Sequence, residues 1–137
     1  MKRIFILSLA VLFTSFSYGQ TILETIKTKV QEDGLKYIDD AKWRLQENGM
    51  GSMEITLSPG KYKILGLGGF SQVKDIDLFI YNYATDELIA KETAEVDGIS
   101  ILDITLEKST KLWIKVYNRK SSPPYEHYDC YLLIMKN

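Results

Sequence analysis

VKDIDLFIYN, Val73 to Asn82, alternates like a β-strand. Ile76, Leu78 and Ile80 fall on one face, and Asp75, Asp77, Phe79 and Tyr81 on the other. The first face is uniformly aliphatic. The second begins with two acids and ends with two aromatic rings. A strand with two such faces belongs in a layered β-structure, one side against a core and the other needing either cover or a purpose.

The same alternation recurs on both sides of this stretch. Residues 53–57 read as a short strand, and Ser58-Pro59-Gly60 as a turn in which Pro presets φ and Gly permits a positive one. Residues 61–67 form the next strand, and Gly66, Gly68 and Gly69 suggest a bulge or a close backbone approach near its end. After Asn82, Ala84-Thr85-Asp86 turns the chain into residues 87–91, and Val96-Asp97-Gly98 turns it into 99–106. Strands at 111–118 and 128–135 follow, separated by the loop Ser121-Ser122-Pro123-Pro124. Seven short strands with turn signals every eight to twelve residues argue a β-sandwich or a small barrel.

The segment before them has a different period. Leu23, Ile26 and Val30 repeat at helical spacing, as do Leu35, Ile38, Ala41 and Leu45. Residues 20–49 are therefore expected to be helical. Gly34 makes either one kinked helix or two short ones, and Asn48-Gly49 serves as the stop. Earlier still, Lys2 and Arg3 precede an apolar run of about ten residues and the small-residue site Ser17-Tyr18-Gly19. Residues 1–19 read as a signal peptide cleaved before Gln20. Export to the periplasm or the outside is expected, with no membrane insertion once the signal is removed. The expected fold is α+β and mainly β. An N-terminal helical segment packs on a seven- or eight-stranded antiparallel, jelly-roll-like β-sandwich spanning residues 50–137.

Three strands carry large side chains on both faces. In 111–118, Leu112, Ile114 and Val116 oppose Trp113, Lys115 and Tyr117. In the last strand, Tyr128, Cys130, Leu132 and Ile134 oppose Asp129, Tyr131, Leu133 and Met135. Two arrangements resolve the surplus. The helical stripe lies over the face of Phe79, Tyr81, Trp113 and Tyr117, or that face stays open as a ligand or partner surface.

Chemistry is sparse. The chain has 137 residues, 26% charged, with a net charge of −1, so it lacks the basic excess of a nucleic-acid binder. Its one histidine, His127, has no GxSxG serine to serve. Its one cysteine, Cys130, sits in an apolar alternation and reads as a core residue. With one His and one Cys, a metal site would be nearly all carboxylate, which suits calcium better than zinc. Asp75 and Asp77 are the candidates. They lie about 7 Å apart along a strand, with Lys61, Lys63 and Lys74 as possible counter-charges. Calcium is the only cofactor this pattern suggests.

Several of these pieces together resemble the bacterial pre-peptidase C-terminal domain. Pro59, Gly60 and Tyr62 match its Pro-Gly-x-Tyr turn, and Asp75, Asp77 and Leu78 its Asp-x-Asp-Leu strand. Leu88 and Ile89 match a short strand, Trp113, Ile114 and Val116 the penultimate one, and Tyr131 and Leu133 the last. The match covers roughly residues 52–136 and departs from the pattern in the turn after Tyr81, which lacks the usual Asp-Gly. The resemblance implies a non-catalytic β-sandwich module that binds a protein or a polymer. Some relatives are stabilised by calcium, and some bind collagen-like polymers. A small carboxylate-dependent hydrolase built around Asp75 and Asp77 is the competing expectation.

Overall fold

A computed structural model describes residues 19–93 and 98–137. The expected signal peptide, apart from Gly19, and most of the Val96-Asp97-Gly98 turn lie outside these residues. One helix, α1 (Gly19–Glu32), is followed by eight strands: β1 (Lys36–Leu45), β2 (Met50–Leu57), β3 (Gly60–Gly68), β4 (Val73–Asn82), β5 (Leu88–Glu92), β6 (Ile99–Leu106), β7 (Thr110–Ser121) and β8 (Tyr128–Lys136). They form two four-stranded antiparallel sheets. Sheet I has the order β1-β8-β3-β6, and sheet II the order β2-β7-β4-β5. First pairs with last, second with seventh, third with sixth and fourth with fifth. That nested pairing is the jelly-roll sandwich expected from the sequence.

The aliphatic faces meet between the sheets. Ile76, Leu78 and Ile80 of β4 and Leu112, Ile114 and Val116 of β7 pack against Ile64, Leu132, Ile134 and Cys130 of sheet I, all of them essentially sealed from solvent. The glycines of β3 allow this close approach. A Cβ on Gly66 would lie 3.2 Å from Ile76 and 3.8 Å from Leu78, and one on Gly68 would lie 2.5 Å from the Val73 side chain. Close approach, rather than a bulge, is their role, since β3 keeps an unbroken register with both neighbours.

The helical segment is shorter than expected. It ends at Glu32, and residues 36–45 are strand β1. Gly34 is the stop. Its φ of 79° is a left-handed value, its N–H donates to the Gln31 carbonyl, and the Leu35 N–H donates to that of Val30. Those two bonds, with Leu35 packed in the same cluster as Val30, make a Schellman cap. The helical spacing read through Ile38 and Ala41 comes from a β-bulge. The register with β8 slips between Tyr37 and Asp39, so Ile38 and Ala41 both pack on the core although three residues apart. Beyond the bulge Ala41, Trp43 and Leu45 alternate as a strand should. Asn48, at φ 66°, ends no helix; it turns the chain from sheet I into sheet II.

The helix lies on the outer face of sheet I. Ile26 and Val30 pack with Leu65, Leu67, Ile101, Tyr131, Leu133 and Met135 in a second core. The surplus apolar face of β8 is thereby covered. The aromatic face of β4 and β7 belongs to sheet II, and the helix does not reach it, contrary to the first of the two arrangements above.

Candidate functional site

The outer face of sheet II is laid out by register. Strand β7 presents Lys111, Trp113, Lys115, Tyr117 and Arg119 at alternate positions, about 7 Å apart. Beside them β4 sets Phe79 opposite Lys115, Tyr81 opposite Trp113 and Asp77 opposite Tyr117. On the flanks β2 sets Glu54 opposite Trp113, and β5 sets Lys91 opposite Phe79. The strands are held from beneath by the sandwich core, so the face is presented on rigid elements rather than on loops.

All four expected aromatic residues come together. Phe79 and Tyr81 lie nearly parallel, 11° apart with centroids at 6.4 Å. Phe79 meets Tyr117 edge-on at 5.5 Å, and Tyr81 meets Trp113 at 6.1 Å. Each is half-buried. Cations are interleaved with the rings. The Lys115 ammonium is 4.0 Å from the Trp113 ring centroid and 5.0 Å from that of Tyr81. The Arg119 guanidinium is 4.1 Å from that of Tyr117. Lys111 lies 4.0 Å from the Tyr83 ring and 3.6 Å from Glu54. The sequence reading found the rings but not the cations as part of the site. The signal was available in the Lys-x-Trp-x-Lys-x-Tyr-x-Arg alternation of residues 111–119.

Asp77 lies at the margin of this face and is largely buried. Its Oδ2 accepts a 2.9 Å hydrogen bond from Arg119 Nε, and its Oδ1 has no hydrogen-bond partner. A bulge explains the pairing: Ile76 pairs with Asn118 but Asp75 with Lys120, leaving Arg119 as the extra residue. The counter-charge is thus Arg119. Of the expected lysines, Lys63 binds Asp103 at 2.7 Å, and Lys61 and Lys74 are exposed. Among the described residues no group of three or more His, Cys, Asp or Glu side chains could hold a metal ion. A calcium ion wants six to eight oxygens, and a guanidinium already occupies one carboxylate. The described side chains alone do not supply that set of oxygens.

The remaining reactive groups lie elsewhere. An open cleft of about 270 Å³ is lined by Arg44, Phe70, Gln72, His127, Tyr128 and Asp129, and the Arg44 guanidinium donates to the His127 carbonyl. Neither Asp75 nor Asp77 lines it. Cys130 is sealed in the core, and burial pushes its thiol up to about 12.

Compared with protein-family models and with curated proteins, the chain matches none. Solved structures do match. The pre-peptidase C-terminal domain of a Bacillus anthracis collagenase superimposes with a TM-score of 0.52 at 13% identity, over 70% of this chain and 87% of that one. The fold is a pre-peptidase C-terminal-like β-sandwich. PliG of Aeromonas hydrophila, a periplasmic inhibitor of g-type lysozyme, aligns at a TM-score of 0.49 and 18% identity, over 76% of this chain and 90% of that one. A carbohydrate-binding module of Cellvibrio mixtus lichenase 5A, solved with cellotriose, aligns at 0.40 and 11%, over 74% and 90%. At such identities the likeness is one of fold.

Proposed function

We propose that this protein is an exported, non-catalytic binding module, and that the outer face of sheet II is the surface that engages its protein or polymer partner. One observation carries the reading. The helix covers the apolar outer face of sheet I, whereas no element among the described residues covers the ring-bearing face of sheet II, whose rings stay half-exposed. Four aromatic side chains on rigid strands offer large contact area at small conformational cost. Asp75 and Asp77, the acids of the competing hydrolase expectation, lie outside the cleft, and Asp77 is engaged by Arg119.

Export rests on the basic, apolar and small-residue order of residues 1–19. No helix among the described residues is long and apolar enough to cross a membrane. Expression of the full chain in a bacterial host should yield an exported form whose mass begins at Gln20. Retention of the intact chain in the cytoplasm would refute export. For the binding face, isotope-labelled protein titrated with soluble polysaccharides and collagen peptides should show amide shifts clustered around Phe79, Tyr81, Trp113 and Tyr117. Shifts confined to the Arg44–His127 cleft would place the partner elsewhere and defeat the reading.

A further inference from the structure

The charges on this face select among partners. Around the rings its outward positions hold four cations, Lys91, Lys111, Lys115 and Arg119, against two acids, Glu54 and Asp77, and beyond them Asp75 stands opposite Lys120. Both acids around the rings are already matched, Glu54 by Lys111 and Asp77 by Arg119. Among the described residues Lys91 and Lys115 form no ion pair. The face therefore carries a positive surplus on a chain whose net charge is −1. Those two lysines are neighbours across one ring, since Phe79 pairs with Lys115 on one side and Lys91 on the other. Two strand spacings set their backbones about 10 Å apart.

We propose that this row, Lys115–Phe79–Lys91, binds the acid groups of an extended anionic polysaccharide. The inference rests on sheet II being the partner surface. Three features favour it. First, cations already lie over Tyr81, Trp113 and Tyr117. A neutral sugar, or a nucleic-acid base, stacks on a ring only by displacing them. An anion instead gains from an ammonium that ring contacts have already placed and partly desolvated. Second, the cations of this face are spaced by register across neighbouring strands rather than converging on one point, an arrangement poorly suited to a small free anion. An extended chain compensates by touching several positions at once. Third, a lysine stands at the centre of the face, and the cores of protein interfaces are depleted of lysine. The exposed apolar side chains, Met50, Leu88 and Ile89, come from the flanking strands β2 and β5.

The test is affinity electrophoresis or calorimetry of the intact protein with polygalacturonate. Dextran, poly-L-glutamate and oligo(dT) serve as the neutral, polypeptide and nucleic-acid comparisons. Polygalacturonate is expected to bind best, more weakly as salt rises, and at least tenfold more weakly to Lys115→Gln/Lys91→Gln protein of unchanged melting temperature. Equal binding of dextran, tighter binding of poly-L-glutamate or oligo(dT), or an unaffected double variant would each overturn the proposal. If Trp113→Ala abolishes binding of a neutral polymer while the lysine variant does not, the face survives as the partner surface and the anionic selection falls. If bound polymer maps away from sheet II altogether, both fall.

Discussion

Replacing Ile26 by Ala tests which sheet the helix protects. Ile26 is 3% exposed and Val30 0%, and with the half-buried Leu23 they are the apolar contacts that the described side chains of α1 make with sheet I, Leu35 joining them just past the helix. An isolated helix of 14 residues is marginal in water, so α1 persists through this packing. Ile→Ala in a core costs about 2–5 kcal/mol. The lower end, about 2–3 kcal/mol, applies here because a helix on a sheet surface settles more readily than a strand locked between two neighbours. For a domain of this size about 3–4 °C is lost per kcal/mol, so the melting temperature should fall by roughly 6–12 °C. The loosened helix also bares Leu65, Leu67, Leu133 and Met135, and uptake of a hydrophobic dye below the transition should rise. Phe79→Ala, on the opposite sheet, should leave dye uptake unchanged. A fall below about 3 °C for Ile26→Ala, or dye uptake in the Phe79 variant alone, would refute this placement of the helix.

A polar latch joins the same helix to β1, with Lys27 Nζ 2.9 Å from Asp40 and the Tyr37 hydroxyl donating to the same carboxylate. Burial alone would raise the Asp40 carboxyl, but those two hydrogen bonds outweigh it and hold it below the usual carboxylate value. A lowered folded value means the latch is fully formed above the unfolded value, about 3.9, and is lost as pH falls through the folded one. Asp40→Asn should therefore flatten the acid limb of the stability–pH curve, by about 1 kcal/mol or less for so accessible a pair. At the alkaline end, burial and then the bond to Asp40 push the Tyr37 phenol up to about 12, and Lys27 is raised chiefly by its hydrogen bond to Asp40. Their contributions are complete below about pH 10 and fade as pH climbs through the folded values. Arg119→Gln should cost roughly 1–3 kcal/mol by leaving the Asp77 charge uncompensated, and Asp77→Asn in that background should recover much of it; denaturant melts of the two variants decide. Because Arg119 supplies the counter-charge, melting temperatures in excess EDTA and in millimolar calcium should coincide, and a rise with calcium would show a bound ion. Cys130 should react with thiol reagents only at the rate of unfolding, since it is sealed and its thiolate disfavoured; fast labelling of the native protein would contradict its placement.

The sandwich was legible where the period was unbroken. In β4 from Ile76 on, in β7 as far as Asn118 and in β8, every second residue points the same way, and the apolar faces read from the sequence are those seen in the structure. Strand β1 was illegible for a physical reason. A bulge adds one residue, so Ile38 and Ala41 share a side at a spacing of three, which imitates a helix. The Lys42–Arg44 alternation around Trp43 was the evidence against a helix, and the i, i+3 spacing concealed it. Gly34 was likewise ambiguous, because a helix interior and a helix end both admit glycine, and only the positive φ and the two closing hydrogen bonds distinguish them.

The candidate site was half legible, and the missing half explains the helix's choice of sheet. Two outer faces competed for one apolar stripe: Tyr131, Leu133 and Met135 on β8, and Trp113 and Tyr117 with Phe79 and Tyr81 on β7 and β4. Aromatic content alone favours the second. Yet between Trp113 and Tyr117 stands Lys115, and Arg119 and Lys111 continue the interleaving on either side. Laying α1 over that face would remove several charges from water, at a cost no aliphatic stripe repays. The β8 face has no charge between Tyr131 and Met135, and its neighbours on β3 are Leu65 and Leu67. The helix therefore takes the face whose charges, Asp40 opposite Leu133 and Lys63 opposite Met135, border the apolar stripe and are paired, with Lys27 and Asp103 respectively. The cations that disfavour the helix on sheet II are the groups that lie over its rings, and in the proposed function they are what an anionic partner would neutralise.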